Sequence, residues 1–319
     1  MPSQPRPYLS IVITGRNDNF GGDFNQRLIR TLAFNDRLLA GAGVPYEIVF
    51  VEWRPIAGQP RLGDELRRLL PQIDERLTTI DVDTRYHDAF SQNPRLEFHE
   101  FIAKNVGIRR ASGSYILATN TDIHLSRPII ALLARRELRP MILYRATRVD
   151  LKTGIDTSQL DEDVFAEAAN QLIVNTLTPP RLTNGAGDFL LLDRFSWHQL
   201  RGFNEVYRVA KIHIDANFCM RALAGGLLLA DTGAQVFHVG AGTFLAQRGV
   251  FMNQPAVAPW GGPWHKQVLY ENPSNWGIAD APAVTHGPRR LRLDFADRAV
   301  PPLVSLRRIT GNGLRGVTK

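Results

Sequence analysis

The sequence predicts an α/β protein built on a mostly parallel central sheet flanked by helices. Three observations carry that expectation. Short apolar, β-branched runs recur through the first part of the chain: "YLSIVITGR", "YEIVFVEW", "LTTIDV" and "YILAT". Segments with helical spacing separate them, so strand and helix alternate four times. The 319 residues are 44% apolar, enough for one large core with an appended loop region.

The elements follow in order. Strand one, "YLSIVITGR", stops at Gly15, and after "NDNFGG" the segment Asp23 to Ala40 carries Leu28, Leu32 and Leu39 on one helical face before "GAG" closes it. "YEIVFVEW" is strand two. A helix from Gly63 to Leu77 turns Leu66, Leu69 and Leu70 inward and leads to strand three, "LTTIDV". A helix from about Glu97 to Ala111 ends at Ser112-Gly113, and strand four begins at Tyr115. Beyond Pro128 the reading is a strand at "MILYRATRVD", a helix over Asp161–Leu177, a strand at "GDFLLLD", a helix over Asp215–Ala224, and two strands at "LLLA" and "AQVFHVG". Pro, Gly, Trp and Asn then dominate. The expected organisation is a main domain over 1–250, with halves of about 1–125 and 126–250, a lid or loop layer over 251–286, and a basic tail over 287–319.

Charge narrows the function classes. Of the net +7, the stretch 287–319 holds +6, with eight Arg/Lys against Asp294 and Asp297. The body is nearly neutral, which argues against a nucleic-acid groove and leaves the tail as a candidate for peripheral contact with an anionic membrane surface. The longest apolar runs, such as Phe189–Leu192, are too short to span a bilayer, and "MPSQPRPYLS" lacks a signal pattern, so a cytoplasmic protein is expected. The single cysteine, Cys219, excludes an internal disulfide and a multi-Cys zinc site.

Ligands of parallel α/β sheets bind outside the carboxyl ends of the strands. Three ends here bear polar groups: Thr14-Gly15-Arg16-Asn17-Asp18, Glu52-Trp53-Arg54 and Asn120-Thr121-Asp122. No Gly-x-Gly-x-x-Gly follows any of these strand ends, the match at Gly311–Gly316 lying in the basic tail, and no P-loop pattern is present, so a bound diphosphate needs another source of positive charge. A divalent cation held by Asp122 would supply it. Asn120 offers a neutral carbonyl oxygen, and His238 is a further candidate ligand that suits Mn²⁺ better than Mg²⁺. Each has a plainer reading, as a turn residue or a hydrogen-bonded histidine. Asp215 opens a helix, where a cap is the plain reading and a general base the functional one.

The blocks "LSIVITGRND", "YEIVFVEWRP", "KNVGIRRASGSYILATNTDI", "GAGDFLLLDRFSWHQLRGFNE", "IDANFCMRALAGG" and "VFHVGAG" resemble, in that order, the GT-A-fold glycosyltransferases, the large inverting "family 2"-like group that uses nucleotide-diphosphate sugars. The resemblance implies a Rossmann-like sheet with a donor site. It places Thr14, Gly15, Arg16 and Asn17 against the nucleotide, Glu52 against the base, Asn105 and Gly107 near the nucleotide, and Gly187 and Asp188 on a donor and acceptor platform. Asn120-Thr121-Asp122 takes the Asp-x-Asp position, so Asp122 would bind Mn²⁺ or Mg²⁺ while Asn120 departs from the pattern. Glu205, in "FNE", resembles the acidic end of the family's "GGF-D-E" block, Asp215 the base, with Ile214 where a partner acid is usual, and His238 an extra metal ligand. The implied donor is a UDP-sugar first and a GDP-sugar second, and the implied acceptor a saccharide, a lipid-linked or a small-molecule hydroxyl. Trp260, Trp264 and Trp276 would suit sugar faces. Two other readings stay open. A sugar-phosphate nucleotidyltransferase would use Gly21, Gly22 and Arg16 but lacks a basic residue close behind the glycines, and a non-catalytic nucleotide-sugar or carbohydrate-binding protein fits Asn120 and Ile214.

Overall fold

The computed structural model describes residues 6–156, 162–179, 182–183, 186–205, 208, 214–240 and 271–300. The elements in chain order are β1 (Leu9–Gly15), α1 (Phe24–Gly41), β2 (Tyr46–Trp53), α2 (Leu62–Leu69), β3 (Leu77–Val82), α3 (Thr84–Phe90), α4 (Glu100–Arg110), β4 (Tyr115–Ala118) and β5 (Ile123–Leu125). They continue with α5 (Arg127–Arg135), β6 (Ile142–Leu151), α6 (Glu162–Ala166), β7 (Gln171–Asn175), β8 (Leu190–Asp193), α7 (Arg194–Gln199), α8 (Ile214–Ala224), β9 (Leu228–His238), β10 (Ala283–Thr285) and β11 (Arg290–Leu293).

One sheet runs in the order β10-β11-β3-β2-β1-β4-β8-β6-β9-β5, with β7 on the far part of β6. β11, β3, β2, β1 and β4 are mutually parallel, and β6 and β9 point the same way because β8 is antiparallel to both β4 and β6. The mostly parallel α/β fold class is therefore the one expected. Alternation along β1 sends Val12 to one face and Leu9, Ile11 and Ile13 to the other. Both faces are covered, so every residue of β1 and β2 is buried and the strands read as unbroken apolar runs. One layer contains Phe101, Ile102 and Val106 of α4, Trp197 of α7 and Phe218 of α8. The opposite layer contains Leu28, Leu32 and Leu39 of α1, Leu66 of α2, and Ile129 and Leu133 of α5.

Four expected features differ. The long helix over 161–177 is instead α6, a short 3-10 turn at Ala168–Asn170 and strand β7. "LIV" is β-prone, and it pairs antiparallel with the end of β6. "LLLA" and "AQVFHVG" form one continuous strand, β9, whose register along β6 shifts between Arg145 and Thr147. The helix after strand two ends at Leu69 because Pro71 opens a 3-10 turn. Within the expected tail, Arg290–Leu293 form β11, parallel to β3, so residues up to 300 belong to the sheet edge. Residues 251–270 of the expected lid, with Trp260 and Trp264, and 301–319 of the tail lie outside the described residues. Among the described residues no helix is long and apolar enough to cross a membrane.

Gly107, on the inner face of α4, lets that helix lie directly on the sheet: a Cβ there would come 2.6 Å from Val12 Cγ1 and 3.1 Å from Val51 Cγ2. Gly107→Val is expected to lower stability by about 2 to 3 kcal/mol through overpacking, read as a lower midpoint in urea unfolding.

Candidate active site

The strand polarities bring six chain segments to one edge of the sheet. β1 ends there at Gly15, β4 at Ala118, β6 at Leu151 and β9 at His238, while β5 and β8 start there. Ile123 pairs with His238 and Asp150 pairs with His238 across β6 and β9, so Asp122, Asp150 and His238 gather at one point although 28 and 88 residues separate their chain positions.

A continuous line of paired charges crosses this edge. Arg27 of α1 donates from Nη1 to Asp122 Oδ2 at 2.7 Å. His238 Nε2 lies 3.6 Å from the same oxygen, and its Nδ1 is 2.7 Å from Asp150 Oδ1. Arg148 donates to Asp150 Oδ2 at 3.0 Å and to Asp188 Oδ2 at 2.9 Å. Asp188 Oδ1 accepts from Asn120 Nδ2 at 2.9 Å, and Asn120 Oδ1 accepts from Lys104 Nζ at 2.6 Å. Lys104, only 1% exposed, also donates to Glu100 at 2.6 Å and to the Gly187 carbonyl at 3.2 Å. Asp215 reaches the same end from the first turn of α8, since a Cβ on Gly187 would stand 3.2 Å from its Oδ2.

The pKa directions follow from the pairing. Burial alone would raise the Asp122 carboxyl, but His238 and Arg27 outweigh it and hold it below the usual carboxylate range. Burial alone would likewise lower His238. Asp122 and Asp150 override that and push it up to about 10. Asp150 is held low against its own burial by His238 and Arg148.

Asn120 has a physical reason to be an amide. One of its neighbours, Lys104, needs an acceptor and the other, the Asp188 carboxylate, needs a donor; a carboxylate at 120 would serve only the first. Asn120 is thus committed to these two groups and is not placed as a cation ligand, contrary to the expectation. The other two expected ligands do meet. His238 presents Nε2 toward Asp122 while a carboxylate holds its second nitrogen, an arrangement that suits a metal-binding imidazole, although a cation would first have to displace its proton. No group of three or more His, Cys, Asp or Glu able to hold a metal ion occurs among the described residues. Two protein ligands with the remaining positions left to phosphate oxygens and water is a normal arrangement for Mg²⁺-type sites.

Several other expected donor-site residues are occupied elsewhere. Glu52 is fully buried, with both carboxylate oxygens accepting from Leu62 N–H at the start of α2; burial pushes its carboxyl up to about 7. Asn17 accepts from Ile56 N–H at 2.6 Å and donates to the carbonyls of Ile56, Gln59 and Pro60, so it fastens the loop after β2. Arg16 spans Arg54 O, Asp18 and Glu97. Thr14, Gly15 and Thr121 lie at the strand ends, and Thr14 and Thr121 are buried; Gly15 is small because Phe24 Cζ stands 2.9 Å from where its Cβ would be. Asn105 turns away from the edge: it donates to Phe203 O and Glu205 and accepts from Phe203 N–H. Glu205 also accepts from Gly277 N–H, and the indole of Trp276 packs beneath Arg109 and is buried. Asn105, Glu205 and Trp276 thus brace neighbouring segments in this structure.

The residues that sequence reasoning missed are Arg27, Lys104, Arg148 and Asp150. Arg148 and Asp150 stand two apart on an expected strand, which puts them on one face, and Lys104 directly precedes the "N-x-G" block.

No protein-family model matches this chain, and neither does any curated protein. Solved structures similar to it include the following three. GalNAc-T7 with UDP, GalNAc and Mn²⁺ shares 12% identity over 74% of this chain and 43% of its own, with a TM-score of 0.47. Mannosyltransferase PcManGT of Pyrobaculum calidifontis, in complex with GDP-Man and Mn²⁺, shares 16% over 80% of this chain and 64% of its own, also at 0.47. The catalytic domain of Drosophila β1,4-galactosyltransferase 7 with xylobiose shares 13% over 92% and 96%, at 0.43. The chain spans less than two thirds of the first two.

Two outcomes are expected. Asn120→Asp replaces the N–H donor facing Asp188 with a like charge and should cost about 1 to 3 kcal/mol at neutral pH, measured by chemical denaturation. Glu205 gives a pH signature, because burial raises its carboxyl from 4.5 to about 7 in the folded state. Between those values the folded state binds more protons than the unfolded one, so stability falls as pH rises through that window, by roughly 3 kcal/mol at most. Glu205→Gln should flatten the fall in unfolding midpoint between pH 4.5 and 7.

Proposed function

We propose that this chain is a glycosyltransferase that moves a sugar from a nucleotide-diphosphate sugar, a UDP-sugar first and a GDP-sugar second, to an acceptor hydroxyl with inversion. The supporting observation is the convergence of Asp122, His238, Asp188, Gly187 and Asp215 with Lys104, Arg148 and Arg27 on the carboxyl edge of one sheet. That is where an α/β sheet receives its ligand, and the mixture of fixed cations and carboxylates suits a diphosphate beside a proton acceptor.

Asp215 is the general base. It takes the proton of the acceptor hydroxyl as that oxygen bonds to the anomeric carbon from the face opposite the leaving group, while the electron pair of the breaking C–O bond departs with the diphosphate. Lys104, held against the Gly187 carbonyl and Asn120, adds fixed positive charge near the leaving group. Asp122 and His238 are the residues that would hold a divalent cation, Mn²⁺ or Mg²⁺, which would add further positive charge there. Arg148 keeps Asp150 and Asp188 in place, and Asp150 in turn orients His238.

Asp215→Asn is expected to lower kcat about 10² to 10⁴-fold while leaving the donor Kd within about twofold. Donor hydrolysis and transfer assays, paired with calorimetric titration of UDP- and GDP-sugars, check it. Binding without any turnover in the wild type, unchanged in Asp215→Asn, would remove the enzyme reading. Asp122→Ala should abolish the strengthening of UDP binding by Mn²⁺, read by the same titration with and without the ion.

A further inference from the structure

Asp122 already has a cation. Arg27 is buried to 9% exposure, and each of its three guanidinium nitrogens is committed: Nε to Asp23 Oδ1 at 2.9 Å, Nη1 to Asp122 Oδ2 at 2.7 Å and Nη2 to the Phe20 carbonyl at 3.2 Å. The chain after β9 closes over it. Val239 N–H donates to the Asp122 carbonyl at 3.0 Å, and Gly240, at φ 96°, passes so near that a Cβ would stand 2.9 Å from Arg27 Nη1.

The oxygen that Arg27 holds, Asp122 Oδ2, is also the one 3.6 Å from His238 Nε2. A divalent cation placed between Asp122 and His238 would draw on the same carboxylate oxygen that accepts from the guanidinium. Breaking a short, sheltered, charge-assisted hydrogen bond opposes that step, and so does the repulsion between a divalent ion and a guanidinium a few ångströms away. Arg27 has somewhere to go. Its other anchors are Asp23, whose side chain is half exposed, and a turn whose residues Asn19, Gly21 and Gly22 all take positive φ.

We propose that Arg27 is a built-in competitor of the divalent cation for Asp122, so that the free protein binds the cation weakly and an anionic diphosphate, by drawing the freed guanidinium to itself, strengthens cation binding. The inference rests on reading Asp122 and His238 as the two protein ligands of that cation. Coupling is reciprocal: the cation strengthens nucleotide binding by the same factor.

The test is titration of the full-length protein with Mn²⁺ alone at fixed pH, following the free ion by electron paramagnetic resonance. Arg27→Met and Arg27→Gln should bind Mn²⁺ roughly 10-fold tighter than wild type, within the usual range of such couplings, and Arg27→Lys, which keeps the charge, should stay close to wild type. Gln retains an N–H for Asp122, so it serves where Met fails to fold, and circular dichroism checks each variant. Neutral variants that bind Mn²⁺ no more tightly than wild type would overturn the competition. Repeating the titration with saturating UDP or GDP separates this from the donor reading. Wild-type Mn²⁺ affinity should rise at least about 10-fold, and the rise should shrink in the neutral variants. If the nucleotides change nothing while the neutral variants still gain affinity, the competition stands and the donor reading falls.

Discussion

Arg148 is the interaction on which the rest of the edge depends. Its guanidinium joins two carboxylates from different parts of the chain, Asp150 on its own strand and Asp188 just ahead of β8. From Asp150 the order passes to His238 and Asp122, and from Asp188 to Asn120 and Lys104. Buried ion pairs contribute little net stability, because desolvation offsets most of the attraction. Removing one member, though, strands its partners and costs roughly 3 to 5 kcal/mol. The chief return of such a network is a single arrangement of polar groups, and here it fixes which atoms face the carboxyl edge of the sheet.

A second polar assembly stabilises the fold without touching that edge. Asn105 and Asn272 grip the turn at Phe203–Glu205 from two sides, and Glu205 reaches on to Gly277 N–H. Gly202 takes φ 64° with the Asn105 carboxamide lying where its Cβ would be, so only glycine lets that turn approach the helix. The block "GFNE" therefore keeps its composition for packing reasons. At the opposite end of the sheet Glu47, another buried acid, gathers Ser10 Oγ and both donor groups of Ser112, which closes the turn from α4 into β4.

The fold was largely legible because both faces of β1 to β4 are covered, which forces unbroken apolar runs, and because the intervening helices show clear spacing. The segment around β7 was not: its apolar residues lie on an exposed strand that pairs only with β6, and their spacing fits a helix equally well. For the site, Asp122 was readable as a strand-end acid and His238 as a strand-end imidazole, while Asp188 was named only through the resemblance of the "GAGDF" block. The cations were not. Arg27, Lys104 and Arg148 sit inside regular elements, where basic side chains usually mark solvent faces, and only the three-dimensional crossing of β4, β6, β8 and α1 shows that they point inward. Glu52 and Asn105 were misplaced for a related reason. A polar residue near a strand end can serve a ligand or a backbone, and sequence alone does not say which.

The pairing of β11 with β3 carries a consequence for how the molecule comes into being. Tyr86, just past β3, bonds to the carbonyl of Asp294, 208 residues further along. β3 would otherwise be the edge of the sheet, with its unpaired backbone groups exposed to other chains. On the ribosome, residues 77–82 emerge long before 290–293 exist, so during most of synthesis that flank lies open and sticky. The delay amounts to roughly 10 to 40 seconds at ordinary elongation rates. Asp81 and the basic side chains of Arg290 and Arg292, which alternate along the two strands, put charge on the seam where unwanted pairing would begin.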